Sequence, residues 1–161
     1  FKGCLYFGLM LTPKGAKVIE YNCRFGDPET QVVLPLLETD LLDIMEAIWE
    51  EKLDTLDIKW SDKSCACVVM ASGGYPEKYE TGKEISGFDA DGQVDADAFV
   101  YHAGTKLADG KYLTAGGRVL GITAVGGNLR EALDKAYSAV GKISFEKAHY
   151  RKDIGQRALN G

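Results

Sequence analysis

The residues best suited to chemistry stand together in Glu20-Tyr21-Asn22-Cys23-Arg24-Phe25-Gly26-Asp27-Pro28-Glu29-Thr30-Gln31. Successive side chains of an extended strand point to opposite faces. Glu20, Asn22 and Arg24 therefore fall on one face with Val18 continuing the row, and Ile19, Tyr21 and Cys23 fall on the other. A carboxylate, an amide oxygen and a guanidinium in a row suit a hard cation beside a phosphate. Mg²⁺ takes one or two protein oxygens and completes its shell with substrate phosphates, and an arginine clamps a transferring phosphoryl group. Gly26 then turns the chain into a helix start, with Asp27 as N-cap, Pro28 in the first helical position and Glu29 in the first turn, an arrangement that favours a bound anion. The alternative is a solvated strand face carrying an Arg–Glu pair, and alternation alone does not choose between them.

Other reactive side chains are less specific. The two histidines, His102 and His149, come with no G-x-S-x-G nucleophile pattern and read as packed or surface residues. Gly116-Gly117-Arg118 lacks the Lys-Ser/Thr end of a phosphate loop; it reads as a turn entering a strand, with Arg118 a secondary substrate-site candidate. Cys65-x-Cys67 sits in an apolar run typical of a strand buried on both faces, whereas zinc sites place C-x₂₋₄-C pairs on turns. The four cysteines therefore read as buried free thiols of a reducing cytosol, Cys65 and Cys67 on one face and unbound to metal.

The elements that position these groups follow from pattern. Residues 3–12 and 17–23 read as two strands joined by a turn at Pro13-Lys14-Gly15. Pro35 should kink or end the helix that starts at Asp27. Leu41, Leu42, Ile44, Met45, Ile48 and Trp49 mark an amphipathic helix whose stripe is expected in a core. The polar stretch 54–63 leads to a second, strand-rich part: Cys65–Ala71, Val94–His102 and Arg118–Val125 are strands, punctuated by glycine turns that include Ala108-Asp109-Gly110-Lys111. Asn128, with Glu131 three residues on, caps a last helix that buries Leu129, Ala132, Leu133, Ala136, Tyr137 and Val140. The fold class is α+β, with domains at 1–60 and 61–161.

Composition narrows the function classes. The chain has 161 residues, 45% hydrophobic and 27% charged, which is a foldable mixture. Nineteen Lys and Arg against 24 Asp and Glu leave a formal net charge of −5, with no basic run; binding to nucleic acid or to an anionic membrane surface is not expected. No run approaches the ~20 apolar residues of a membrane span. Glycine, 19 residues, is well above its usual share of ~7%, which fits many tight turns or backbone lying close to a ligand. The chain opens inside a strand-like run without an initiator Met, and is read as part of a longer protein.

The Glu20–Gln31 stretch resembles the signature of the glycinamide ribonucleotide synthetase (phosphoribosylamine–glycine ligase) family of the ATP-grasp superfamily. In the same order, similar stretches are Leu5–Thr12, Val69–Pro76, His102-Ala103-Gly104-Thr105, Gly116–Leu120 and Tyr150–Gly155. The resemblance implies the C-terminal part of an ATP-grasp core, antiparallel strands plus helices, followed by a smaller β-rich C-terminal domain with a closing helix. It implies joining of glycine to 5-phosphoribosylamine at the expense of ATP, through glycyl phosphate, in de novo purine synthesis. It also implies that Glu20 and Asn22 ligate Mg²⁺ (or Mn²⁺), that Arg24 meets the γ-phosphate or acyl phosphate as the catalytic residue, and that Gly26, Asp27, Pro28 and Glu29 line the substrate cleft. The glycine-rich phosphate loop and N-terminal domain of that family have no counterpart here. They are the expected missing partner, and the isolated chain is expected to be inactive. A non-catalytic interaction module and another ATP-grasp ligase, of purine synthesis or biotin chemistry, are the rival readings; Asp27-Pro28-Glu29 favours the glycine ligase.

Overall fold

The computed structural model describes residues 1–94 and 96–160, and they divide into two compact units, residues 1–61 and residues from Asp62 on. The first unit opens with a hairpin of β1 (Tyr6–Thr12) and β2 (Gly15–Asn22), antiparallel and joined across Pro13-Lys14. Pairing runs from Thr12↔Gly15 to Tyr6↔Asn22, with a register shift between Gly8 and Leu9. The shift leaves Ile19 as an extra residue. Val18 therefore pairs with Leu9, not with the face of Gly8 and Glu20, and the expected row is broken at Val18 by a bulge.

The helix expected at Asp27 starts three residues later. α1 (Thr30–Val33) is one turn long, its N-cap is Glu29, and no side chain caps it. Asp27 is not the N-cap because its carboxylate is engaged elsewhere, accepting from Gln31 Nε2 at 3.2 Å, and because Gly26 O already closes the turn by accepting from Thr30 N at 3.0 Å. A single turn has too few aligned peptides to form the expected anion site. A 3₁₀ turn at Leu34–Leu36 follows, as Pro35 dictates. α2 (Leu41–Trp49) is capped by Asp40, whose carboxylate accepts from Leu42 N at 2.8 Å.

The second unit holds a three-stranded antiparallel sheet in the order β3 (Ser64–Ala71), β7 (Arg118–Gly126), β4 (Ala98–His102). A separate hairpin, β5 (Thr105–Ala108) with β6 (Lys111–Thr114), turns at Asp109-Gly110, both with positive φ as a tight two-residue turn requires. α3 (Leu129–Val140) lies across one sheet face, and a last turn, α4 (Gln156–Leu159), follows. Asn128 Oδ1 accepts from Glu131 N at 3.0 Å, and Glu131 Oε2 accepts in return from Gly127 N at 2.9 Å, one residue earlier than a standard capping box.

Alternation builds the core. Ala66, Val68 and Met70 of β3, Leu120, Ile122 and Ala124 of β7, and Ala98 and Val100 of β4 are buried. They pack with Ala132, Ala136, Ala139 and Val140 of α3, whose small side chains bring helix and sheet close together. β3 is an edge strand with Cys65, Cys67 and Val69 half-buried, so it is buried on one face, not two; β7, at the centre, takes the continuous burial.

Candidate functional site

The end of the β1–β2 hairpin carries the candidate site. Gly8 pairs with Glu20 and Tyr6 with Asn22, so these four residues share one face. Gly8 clears that face: a Cβ there would lie 3.0 Å from Glu20 Cγ. Glu20 is exposed and Asn22 half-buried, and Asn22 Nδ2 donates to Glu20 Oε1 at 3.1 Å. The two side chains expected to act together are thus in contact. Arg24 is not in the row, because β2 ends at Asn22; it lies in the following loop, exposed, with Nη1 donating to Phe25 O at 2.8 Å.

Phe25 anchors that loop. Its ring lines an apolar cavity of about 270 Å³ with Leu41, Ile44, Met45 and Ile48 of α2. Gly26, buried, is close-packed against Glu29, whose carboxylate occupies the space a Cβ at Gly26 would need. Thr30 Oγ1 also donates to Gly26 O, tying the loop to α1. Glu29 is half-buried. Loss of water around Tyr6, then the Glu29 and Glu20 carboxylates, push its ionisation above the ordinary range. The motif read from sequence did not include Tyr6; its place is fixed by strand pairing across a hairpin.

Among the described residues no group of three or more His, Cys, Asp and Glu could enclose a metal ion. A carboxylate with one amide oxygen nevertheless fits Mg²⁺ or Mn²⁺, which draws the rest of its shell from nucleotide phosphates and water. Arg118 opens β7 in the second unit, half-buried opposite Ala71. His102 is held by Thr105 Oγ1 at 3.1 Å and Gly92 O at 3.0 Å, beside Phe88 and Tyr112, and His149 pairs through its backbone with Ala71. All four cysteines are unbridged, and burial pushes the Cys65 thiol up to about 11. No helix among the described residues is long and apolar enough to cross a membrane.

Comparison with known proteins gives the family of the chain. The model of the phosphoribosylglycinamide synthetase C domain matches residues 65–157, and that of the same family's ATP-grasp (A) domain matches residues 1–30. Phosphoribosylamine–glycine ligase of Caldanaerobacter subterraneus subsp. tengcongensis is 56% identical over 154 residues, 96% of this chain and 36% of that protein. The trifunctional purine biosynthetic protein adenosine-3 of Gallus gallus is 49% identical over 160 residues, 99% of this chain and 16% of that protein. The crystal structure of phosphoribosylamine–glycine ligase from Thermotoga maritima matches with a TM-score of 0.78 at 34% identity, covering 92% of this chain and 36% of that one. The biotin carboxylase subunit of pyruvate carboxylase, at TM-score 0.62 and 11% identity over 96% of this chain and 36% of that one, shares the fold alone. The chain therefore spans well under half the length of these relatives. Matched over more than half its length by the C-domain model and at its start by the A-domain model, it belongs to the phosphoribosylglycinamide synthetase family, whose fold is that of the ATP-grasp proteins.

Proposed function

We propose that this chain is the C-terminal part of a cytoplasmic phosphoribosylamine–glycine ligase and supplies the metal and phosphoryl side of its active site. The first unit is then the end of the ATP-grasp domain, and the second is the β-rich C-terminal domain. In this reading the glycine carboxylate takes the γ-phosphoryl group of ATP, giving glycyl phosphate and ADP. The amine of 5-phosphoribosylamine then displaces phosphate to give glycinamide ribonucleotide. Glu20 and Asn22 would hold Mg²⁺ or Mn²⁺, which when bound neutralises charge on the ATP phosphates. Arg24, exposed on a loop anchored by Phe25 and donating through Nη1 to Phe25 O, has a fork suited to phosphate oxygens and would follow the phosphoryl group from ATP to glycine. Gly26, Asp27, Pro28 and Glu29 would shape the substrate cleft, and Arg118 is a secondary contact for substrate.

The observation that carries this reading is the 3.1 Å contact between Glu20 and Asn22 on one exposed strand face, with Arg24 two residues on. The missing partner is the upstream part of the same enzyme, with the nucleotide loop and the first substrate domain. The test is a chimera in which this chain replaces the matched portion of the Caldanaerobacter ligase. The chimera should release ADP only when ATP, Mg²⁺, glycine and phosphoribosylamine are all present, and the isolated chain should release none, since phosphoryl transfer needs all parts positioned together. A folded chimera without turnover would refute the catalytic reading in favour of a docking lobe.

A further inference from the structure

We propose that the outer edge of β4 is a strand-pairing surface for a second copy of this chain, and that the side-chain amide of Gln93 is the gate that holds it shut. The surface lies wholly in the second unit and does not depend on the reaction assigned to the first.

The sheet order β3-β7-β4 leaves β4 with one side that no strand pairs. There Val100 N donates to Gln93 Oε1 at 2.8 Å, and Gln93 Nε2 donates to Val100 O at 3.2 Å. A primary amide carries the donor and the acceptor of a peptide group, so Gln93 sits where the next strand would. The turn that presents it is closed on itself. Asp89 N donates to Gln93 O at 2.8 Å, and Asp89 Oδ1 accepts from Gln93 N at 2.8 Å and from Asp91 N at 3.0 Å. A second hook, His102 Nε2 donating to Gly92 O at 3.0 Å, ties the turn to the end of the same strand. Glycine is required at position 92, where φ is +76° and a Cβ would lie 2.7 Å from Tyr112 Oη.

Edge strands attract other strands, and proteins blunt them with charge, proline or a bulge. The opposite edge, β3, has a register shift at Met70/Ala71 and a bridge from Ala71 to His149. β4 is Ala98-Phe99-Val100-Tyr101-His102, with no Lys, Arg, Asp, Glu or Pro and an unbroken register with β7. Its central three residues are strong strand formers. Phe99 and Tyr101, both exposed, alternate with the buried Ala98 and Val100 and so stand on the face away from the core, their rings 6.5 Å apart. The partner this edge complements is β4 of a second copy. In an antiparallel pair about a two-fold axis at Val100, each Val100 exchanges both backbone bonds with its counterpart, in place of the two it gives to Gln93. The same register sets Phe99 opposite Tyr101 of the second copy, a favourable aromatic pair. While the Gln93 amide is intact it wins, because a tethered group competes at an effective concentration of about millimolar.

The test compares this chain with Gln93→Ala, with Gln93→Glu, and with Gln93→Ala combined with Phe99→Lys and Tyr101→Lys. Sedimentation velocity measures association, and amide hydrogen exchange read by nuclear magnetic resonance reports on Val100 N–H. In dilute solution Val100 N–H should exchange about tenfold faster in Gln93→Ala than in the parent, the scale of one lost hydrogen bond. At rising concentration the variant should associate about tenfold more tightly than the parent, and its Val100 N–H should slow again. Gln93→Glu keeps the acceptor and loses the donor; it should fall between the two, and it carries the comparison if Gln93→Ala does not fold. The added lysines set like charges across the two-fold axis and should return association to the parental level. Equal association of the parent and both Gln93 variants, or unchanged exchange at Val100, overturns the gate. Association that persists with the lysines in place runs through another face and overturns the β4 surface.

Discussion

The two units differ in what they do with their apolar side chains. The core of buried hydrophobic side chains lies in the second unit, on the sheet and under α3. In the first unit no residue of α1 or α2 is buried, and Leu11 at 86%, Trp49 at 76% and Ile19 at 62% are open to solvent. Yet the carboxylates, amide and guanidinium of the candidate site are in the first unit. A segment rich in apolar side chains that leaves them exposed presents an interaction surface, and the hairpin that carries the candidate site is part of it. The second unit shows the opposite economy: a packed interior and a surface of ordinary ion pairs such as Lys83–Glu146 and Arg151–Asp153.

Substitutions should break this contrast in order of size. Ile122 is fully buried at the centre of the sheet. Ile122→Ala should cost about 2–5 kcal/mol by lost burial and an unfilled cavity, whereas Leu11→Ser in the first unit should stay within about 0.5 kcal/mol. Urea titration followed by far-ultraviolet circular dichroism compares the two, and equal losses would mean that the first unit has a core after all.

Thiol chemistry gives a second contrast. Cys23 is exposed, and the Cys65 thiol, half-buried, is held up to about 11 by burial and then by Cys67. At pH 8 the reactive thiolate of Cys65 is therefore scarce, and iodoacetamide should modify Cys23 at least about tenfold faster. Peptide mass spectrometry over a time course measures both rates. Faster labelling of Cys65 would place that strand face in the open.

Smaller effects belong to the second unit's helix ends and ion pairs. Asn128→Ala removes the acceptor for Glu131 N and should cost about 1 kcal/mol. Hydrogen bonds from Lys83, Lys135 and Arg151 hold the carboxyls of Glu80, Glu131 and Asp153 below their ordinary values of 4.5, 4.5 and 3.8. A carboxyl with a lower folded value stabilises above its unfolded value, and that contribution is lost as pH falls through the folded one. The melting temperature should therefore decline modestly between about pH 5 and pH 3, and less steeply in high salt.

Which parts were legible in the sequence follows from the range of the forces. Local signals worked: Asn128 caps α3, Pro35 ends α1, and Asp109-Gly110 makes a turn. β5 and β6 were missed although that turn was read, because four-residue strands carry too few residues for alternation to register. The stripe on α2, expected in a core, is not in one: no residue of α2 is buried and Leu42, Met45 and Trp49 are exposed, because periodicity marks an apolar face without supplying its cover. In the candidate site, Glu20 and Asn22 stand side by side as alternation requires. Arg24 left the row because the ladder stops at Asn22, and Val18 left it at a bulge. Both depend on pairing with β1, as does the place of Tyr6.

The most direct test of the account is Glu20→Gln in the active chimera, with kcat at saturating Mg²⁺ measured beside the melting temperature. The substitution keeps the shape of the side chain and removes the charge proposed to hold the cation. The account predicts that kcat falls on the order of a hundredfold or more while the melting temperature stays put, because the residue is exposed and outside any core. A kcat near that of the parent, or a loss that only tracks unfolding, would contradict it.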